Sequence, residues 1–214
     1  TWMVGRPIQD IYPPKNQRVS GELLRVSGLT LISPRGRVLL QDLSFQLKKG
    51  EVLGLAGLLG AGRSETFEAL FGALHPHGPR GRGFNRSGKV WIREKETTVQ
   101  TPSEAIRARI AYVSEDRKGS GLVLGQSIRS NLTLPALGSG RGGIAVGTGF
   151  GSFISEKKEE DEVNRLAREL RIKFTHPGQA VGELSGGNQQ KVVLGKWLLS
   201  EPEILFLDEP TRGI

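Results

Sequence analysis

Three short segments carry residue types whose spacing suits phosphate chemistry. Gly57-Leu58-Leu59-Gly60-Ala61-Gly62-Arg63-Ser64 has the spacing of a loop whose glycines let successive backbone N–H groups wrap a polyphosphate at the start of a helix. Such a loop normally carries Lys before its hydroxyl; Arg63 stands there instead. A planar fork on a long stem either holds a phosphate differently or fills the pocket. The plainer reading of the same residues is a tight strand-to-helix turn with an exposed Arg. Ser64 falls where a hydroxyl would ligate Mg²⁺, and Glu65 puts a negative charge where a second hydroxyl is common.

Ile204-Leu205-Phe206-Leu207-Asp208-Glu209 delivers two carboxylates at the C-terminal end of an apolar strand, the side on which open α/β sheets bind ligands. Asp208 is the candidate Mg²⁺ ligand, directly or through water, and Glu209 the group that orients and polarises an attacking water. Taken alone, the same pattern reads as a strand ending in a solvated acidic turn. Leu184-Ser185-Gly186-Gly187-Asn188-Gln189-Gln190-Lys191 opens a helix with a hydroxyl and two glycines, a cradle for an anion such as a γ-phosphate. A flexible N-cap is the bland alternative.

The elements that position these segments follow from periodicity. Leu43 to Leu47 alternates, and Lys48-Lys49-Gly50 turns it toward a second strand over Glu51 to Ala56, so strand, glycine loop and helix succeed one another up to Phe71. Residues 75–88 are Gly- and Arg-rich and read as a surface loop, and Lys89 to Arg93 as a short strand. Thr101-Pro102-Ser103-Glu104 combines a capping Thr, a first-turn Pro and a Glu three residues after the cap, so a short helix is expected there, followed by a buried strand over Ile110 to Val113. A helix around residues 127–136 precedes a glycine-rich mobile loop from Gly138 to Gly151. Val163, Leu166, Ala167 and Leu170 then mark an amphipathic helix. Asn188 to Leu199 reads as a helix stopped by Pro202, and Ile204 to Leu207 as a strand buried on both faces.

With 214 residues, 36% hydrophobic and 24% charged, the chain is expected to form one α/β or α+β domain. Its net charge of +8 suits a phosphate-bearing ligand, nucleic acid or an anionic membrane surface without choosing among them. The absence of Cys excludes a disulfide scaffold, a thiol nucleophile and a Cys-based zinc site. No apolar run approaches the roughly 18 residues of a membrane span. Residues 1–20 carry three prolines without a period and read as a linker. Both ends read as cut from something longer.

Together the glycine loop, the Leu184-Ser185-Gly186-Gly187-Asn188-Gln189-Gln190 stretch and Leu207-Asp208-Glu209-Pro210-Thr211 resemble the ATP-binding-cassette ATPases. Val113-Ser114-Glu115-Asp116-Arg117-Lys118, Gly121-Leu122-Val123, the ending Thr211-Arg212-Gly213 and the opening Met3-Val4-Gly5-Arg6 are similar to the second cassette of the tandem ATPases that drive monosaccharide importers. That resemblance implies an α/β fold of the P-loop NTPase cassette type. It has a mostly parallel core sheet, an antiparallel β subdomain and a helical subdomain, shortened at the C-terminal end. It implies a linker between cassettes over 1–20, a nucleotide-binding core over 21–120, a helical subdomain over 121–183, and the signature helix and acid-bearing strand over 184–214.

The resemblance also assigns roles. Gly57, Gly60, Ala61, Gly62, Arg63, Ser64 and Glu65 fall in the nucleotide-binding loop, with Arg63 at the Lys position as in that second cassette. Glu115 stands where Gln is usual, and Ser185, Gly186, Gly187, Asn188 and Gln189 form the signature that completes the nucleotide site of the facing cassette. Ser64 and Asp208 match the Mg²⁺ ligands and Glu209 the catalytic, water-activating carboxylate. ATP and Mg²⁺ are the implied cofactors. The implied partners are the other cassette, transmembrane permease subunits and, indirectly, a sugar-binding protein, at the cytoplasmic face of the membrane.

Two departures bear on mechanism. Leu31 to Arg37 offers no aromatic where many cassettes stack the adenine, Pro34 lying nearest. The aspartate loop and switch histidine of the family are not matched, and none of His75, His77 or His176 is placed to substitute. The expected activity is therefore ATP hydrolysis in an assembly, with a degenerate nucleotide-binding or dimerisation module as the alternative for this chain alone; a nucleoside importer is a further variant. The basic stretch Arg80, Arg82, Arg86, Lys89 and Arg93, with Phe84 among them, also raises nucleic-acid binding. It is read as a solvated surface, and no nucleic-acid partner is expected.

Overall fold

The computed structural model describes residues 19–146 and 153–211. The linker expected over 1–20 thus falls almost wholly outside the described residues, as do 147–151 of the expected glycine-rich loop and the ending Arg212-Gly213.

An antiparallel sheet is built from β1 (Ser20–Ile32), β2 (Val38–Lys49), β3 (Asn85–Ile92) and β4 (Lys95–Glu96) in the order β2-β1-β3-β4. Leu24 and Val26 face Leu47 and Phe45 across the first hairpin, and the register then slips between Val26 and Leu29. That slip is a bulge: it restores Leu29 and Leu31 to the buried face after an odd step in the alternation. The β1–β2 hairpin is closed by the turn Ser33–Arg37, where the Ser33 and Arg37 backbones bond and Gly36 N–H donates to the Ser33 carbonyl. β3 begins at Asn85, four residues earlier than expected, because it pairs with β1 from Ile32↔Asn85 onward. The segment 75–88 is accordingly not one surface loop: His75 and Gly81 are buried, and 85–88 belong to the sheet.

The second layer is a parallel pair, β5 (Ile110–Val113) beside β8 (Ile204–Leu207), in register from Ile110↔Ile204 to Val113↔Leu207. β5 is buried throughout, as a strand covered on both faces must be. β8 departs from the expectation. Ile204 and Phe206 are buried but Leu207 is exposed, so only one of its faces is fully covered.

Glu51 to Ala56, expected as the strand feeding the glycine loop, joins no ladder. Val52 is 85% exposed and a cavity of about 620 Å³ separates the run from β8. An apolar run becomes a strand only when a neighbour takes its backbone groups, and here, among the described residues, the only ladder of β8 is the one with β5, its other edge facing the cavity.

Among the described residues, five α-helices pack with these strands. α1 (Arg63–Leu70) follows the glycine loop and presses Phe67, Leu70 and Phe71 on the core; Phe67 stacks on Phe206 at 5.1 Å. α2 (Pro102–Arg107) starts as its sequence dictates, with Thr101 Oγ1 accepting from the Glu104 N–H while Glu104 reaches back to the Gln100 N–H. α3 (Ile128–Ser139) is capped by Ser127, and α4 (Glu156–Glu169) by Ser155. On α4 Val163 and Leu166 are buried, worth roughly 2 kcal/mol each, with Ala167 and Leu170 packed beside them. α5 (Gly186–Leu199) lies against both α3 and β5. A small antiparallel pair, β6 (Ala145–Val146) and β7 (Phe153–Ile154), links α3 to α4.

Candidate functional site

The glycine loop folds as a nest at the N-terminus of α1. Gly60 and Gly62 adopt left-handed backbone at φ 80° and 84°, and the Ala61 N–H donates to the Leu58 carbonyl. Gly62 caps α1, and its carbonyl takes both the N–H and the hydroxyl of Thr66. A side chain at Gly62 would meet Leu40 and the Leu39 carbonyl below 3.0 Å, so loop and hairpin approach as closely as backbones can. Leu58 and Leu59 are exposed at the tip of the loop.

From this loop the chain directs Ser64 into a cavity of about 540 Å³ shared with Tyr112, Glu115 and Asp208. The parallel pairing explains the meeting: Val113↔Leu207 brings the ends of β5 and β8 level, so Ser114-Glu115 and Asp208-Glu209 leave the sheet together. Asp208 is only 5% exposed, and its Oδ2 accepts the Tyr112 hydroxyl at 3.2 Å. Burial, together with the Glu68 and Asp208 carboxylates, pushes the Tyr112 hydroxyl far above the ordinary phenol range, so Tyr112 stays a proton donor to Asp208. Asp208 thus has one oxygen committed to Tyr112 and one to offer.

A hydroxyl and one buried carboxylate form the sparse donor set that Mg²⁺ takes when phosphate oxygens and waters complete its octahedron. Among the described residues no group of three or more His, Cys, Asp or Glu could cage a metal by itself. Ser64 and Asp208 therefore fit a Mg²⁺ that arrives with a nucleotide.

Arg63 does something different. Its Nη1 donates to Glu209 Oε1 at 3.1 Å, and both side chains are partly exposed, at 34% and 46%. Glu209 itself sits at φ 46°, the left-handed region that a non-glycine residue occupies at a cost of about 1 kcal/mol. The guanidinium thus neither wraps the glycine loop nor points into the cavity with Ser64. It pairs with the carboxylate assigned to activate water. Arg63 and Glu209 line the larger cavity along β8, on the other side of Asp208. Glu65, in the first turn of α1, is half-buried.

The far wall of the Ser64 cavity is a single π-turn, Arg117–Gly121, with Asp116 as its N-cap accepting from the Gly119 N–H at 2.9 Å. Ser114 and Ser120 hydroxyls close it at 2.9 Å. Such i→i+5 turns are rare and concentrate at functional sites. Arg80, ion-paired to Glu68, closes the cavity from the loop after α1.

Ser185, Gly186, Gly187, Asn188 and Gln189 are not brought to this cavity. They open α5, whose N-cap Ser185 is exposed. Asn188 ties the turn together, accepting from the Lys173 N–H at 2.9 Å and donating to Ser185 Oγ at 3.1 Å. The Gln189 side chain is buried and donates to the Val181 and Gly182 carbonyls, so it braces the helix start from behind. The half-buried first turn of α5 leaves its first backbone N–H groups without intrahelical acceptors.

Sequence reasoning missed Tyr112, Ser120, Glu68 and Arg80. Tyr112 is visible as a polar-tipped residue in an otherwise apolar strand, but its partner depends on which strand lies next to it. The basic stretch is largely tied into the fold: Arg80 to Glu68, Lys89 to Glu96 and Arg93 to Glu203.

A sequence profile described as ABC transporter matches residues 40–212. The xylose import ATP-binding protein XylG of Geobacillus kaustophilus is 43% identical over 99% of this chain, and the ribose import ATP-binding protein RbsA of Bacillus cereus 42% identical over 99%. The chain spans 39% and 38% of the length of these relatives. Among solved structures, the ATP-binding cassette of an ABC transporter in its ADP conformation superposes with a TM-score of 0.64 at 20% identity, covering 91% of this chain and 71% of that one. A dimeric cassette in a post-hydrolysis state with ADP and Pi gives a TM-score of 0.69 at 18% identity, covering 90% and 76%. These likenesses establish the fold: a P-loop cassette with its antiparallel β subdomain and helical part.

Proposed function

The chain belongs to the ABC transporter family, and from that premise we propose that it is the ATP-binding module of a carbohydrate importer, acting as the second cassette of a tandem pair. The observation that carries the reading is the convergence of Ser64, Glu115 and Asp208 on one cavity at the end of the glycine loop. The glycine loop from Gly57 to Ser64 would receive the phosphates of ATP, and Ser64 and Asp208 would hold Mg²⁺. The chemistry such an ion would supply there is neutralisation of phosphate charge. Gly57, Gly60 and Gly62 would supply backbone N–H groups, the Ala61 N–H being taken by the Leu58 carbonyl, and Glu115 lines the same cavity.

In this reading the nucleotide site on this half turns over slowly. Glu209 must accept or orient water to act as the catalytic carboxylate, yet Arg63 holds one of its oxygens. The signature turn, Ser185 to Gln189, serves instead the site built on the partner cassette. A degenerate module that binds nucleotide and dimerises is therefore the reading favoured for this chain alone, and an ATPase the reading for the assembly. Xylose and ribose import in the relatives' names point to a monosaccharide as cargo.

Contact with permease subunits is assigned to the segment from Glu115 to Leu137, where Val123 and Leu134 are 51% and 56% exposed. Among the described residues no helix is long and apolar enough to cross a membrane, and the proposed position is peripheral, at the cytoplasmic face. The division into a linker over 1–20, a core over 21–120, a helical subdomain over 121–183 and a closing unit over 184–214 belongs to the same proposal.

Calorimetry of Mg-ATP on the chain alone, then with the partner cassette and with phosphate release followed, tests the reading. Binding by the chain with turnover only in the pair supports it; failure of the chain and the pair to bind Mg-ATP overturns it.

A further inference from the structure

Lys196, in the last turn of α5, is buried to 8% exposure, and its Nζ donates to the carbonyl of Gly121, the last residue of the π-turn. Its acceptor is a neutral carbonyl rather than a carboxylate. The ammonium also lies 5.1 Å from the ring centroid of Trp197. Trp197 in turn packs edge-on against Phe71 at 5.6 Å, and Phe71 caps the C-terminus of α1. Two adjacent residues of α5 thus grip both walls of the Ser64 cavity: Trp197 holds the helix that carries Ser64 and Glu68, and Lys196 holds the turn that carries Asp116, Lys118 and Ser120. Val193, one turn earlier, sits close behind Gly121, where a Cβ would approach its side chain to 3.3 Å.

We propose that Lys196 is a positioning residue for the nucleotide site, fixing the π-turn Arg117–Gly121 as the wall that faces Ser64 and Asp208. The inference rests on the nucleotide reading of that cavity and goes beyond it by naming what shapes its far side. A π-turn commits its amides to a wide i→i+5 ring: the Gly121 N–H donates to the Asp116 carbonyl at 3.0 Å, as does the Ser120 N–H. With a single turn and no continuing helix, its geometry depends on what holds its last carbonyl. Burying an ammonium to do so is costly, and a plain apolar side chain would fill the same space at less expense. The charge is retained where it orients a carbonyl at the edge of the site.

The test compares wild type with Lys196→Met, which keeps the length and apolar stem and removes the donor. Amide hydrogen exchange without nucleotide is expected to accelerate at least tenfold at Gly119, Ser120 and Gly121, while β5 and β8 change by less than twofold. The Mg-ATP dissociation constant by calorimetry is expected to rise at least fivefold. Unchanged exchange in the turn, or an acceleration shared equally by β5 and β8, would overturn the positioning role. If the Met variant fails to fold, wild type alone decides: Mg-ATP must slow exchange at Ser120 and Gly121, and no slowing counts against the proposal. Should wild type bind no Mg-ATP, the nucleotide reading fails, whereas exchange in the Met variant still reads the Lys196 tie on its own.

Discussion

Arg63 and Glu209, 146 positions apart in the chain, meet through a 3.1 Å hydrogen bond from Nη1 to Oε1. In the proposed reading the first stands at the Lys position of the phosphate loop and the second at the water-activating position after β8. Each thereby occupies the group that the other would use for chemistry. A compact ammonium on a shorter reach would stay with the phosphates; the longer guanidinium fork crosses to the carboxylate.

Because the pair is partly exposed, its contribution to stability is small. Exposed ion pairs are worth about 0.5 kcal/mol, so Arg63→Ala should shift the melting temperature by under about 2 °C. Thermal unfolding followed by circular dichroism checks this. A large drop would mean that Arg63 supports the fold rather than the site.

The loop glycines separate conformational from steric cost. Gly60→Ala meets open space but must adopt φ 80°, and should destabilise by about 1 kcal/mol. Gly62→Ala adds a collision with the Leu39 carbonyl to φ 84°, and should cost at least about 2 kcal/mol. Urea unfolding of the two variants reads the difference; equal costs would contradict the close approach of loop and hairpin.

Asp208→Asn preserves an acceptor for the Tyr112 hydroxyl and removes the carboxylate proposed to hold Mg²⁺. Its fold should survive, while ATP affinity measured with Mg²⁺ falls at least tenfold and affinity in EDTA changes little. Calorimetry under both conditions distinguishes this from a general weakening, which would lower both together.

Much of this was legible in the residues and some was not. The capping Thr101, the largely apolar Ile110 to Val113 and the stripe of Val163 and Leu166 led directly to α2, β5 and α4, because each signal is local. β1 carries no strict alternation: the bulge between Val26 and Leu29 breaks the period that would have announced it. Glu51 to Ala56 misled for the opposite reason, having the composition of a strand without a partner for its backbone. At the site, the glycine loop and the two carboxylates were readable from spacing. Tyr112 against Asp208, Arg63 against Glu209 and Lys196 against Gly121 were not, since each contact joins segments far apart in the chain whose adjacency depends on the β5–β8 pairing and the packing of α5.

Burial pushes the Lys196 ammonium down from 10.5 to about 8. The unfolded chain therefore binds the proton more tightly, and the folded state bears the full penalty below pH 8, relieved as the pH rises from 8 to 10.5. The gain is on the order of 3 kcal/mol. A neutral amine still donates to Gly121, so the π-turn persists across this range. Comparing urea midpoints of wild type and Lys196→Met from pH 7 to 10.5 isolates the effect: the wild type should gain relative to the variant as the pH rises, and parallel curves would contradict the burial of a charged Lys196.

The central claim is that Arg63 restrains Glu209, and phosphate release by the chain assembled with the proposed partner cassette tests it most directly. To isolate this site, the partner's own water-activating carboxylate is replaced by its amide, and wild type is compared with Arg63→Lys. The account predicts at least a tenfold faster Mg-ATP turnover in the Lys variant, with the acceleration abolished by adding Glu209→Gln. Equal turnover in wild type and Arg63→Lys would contradict it.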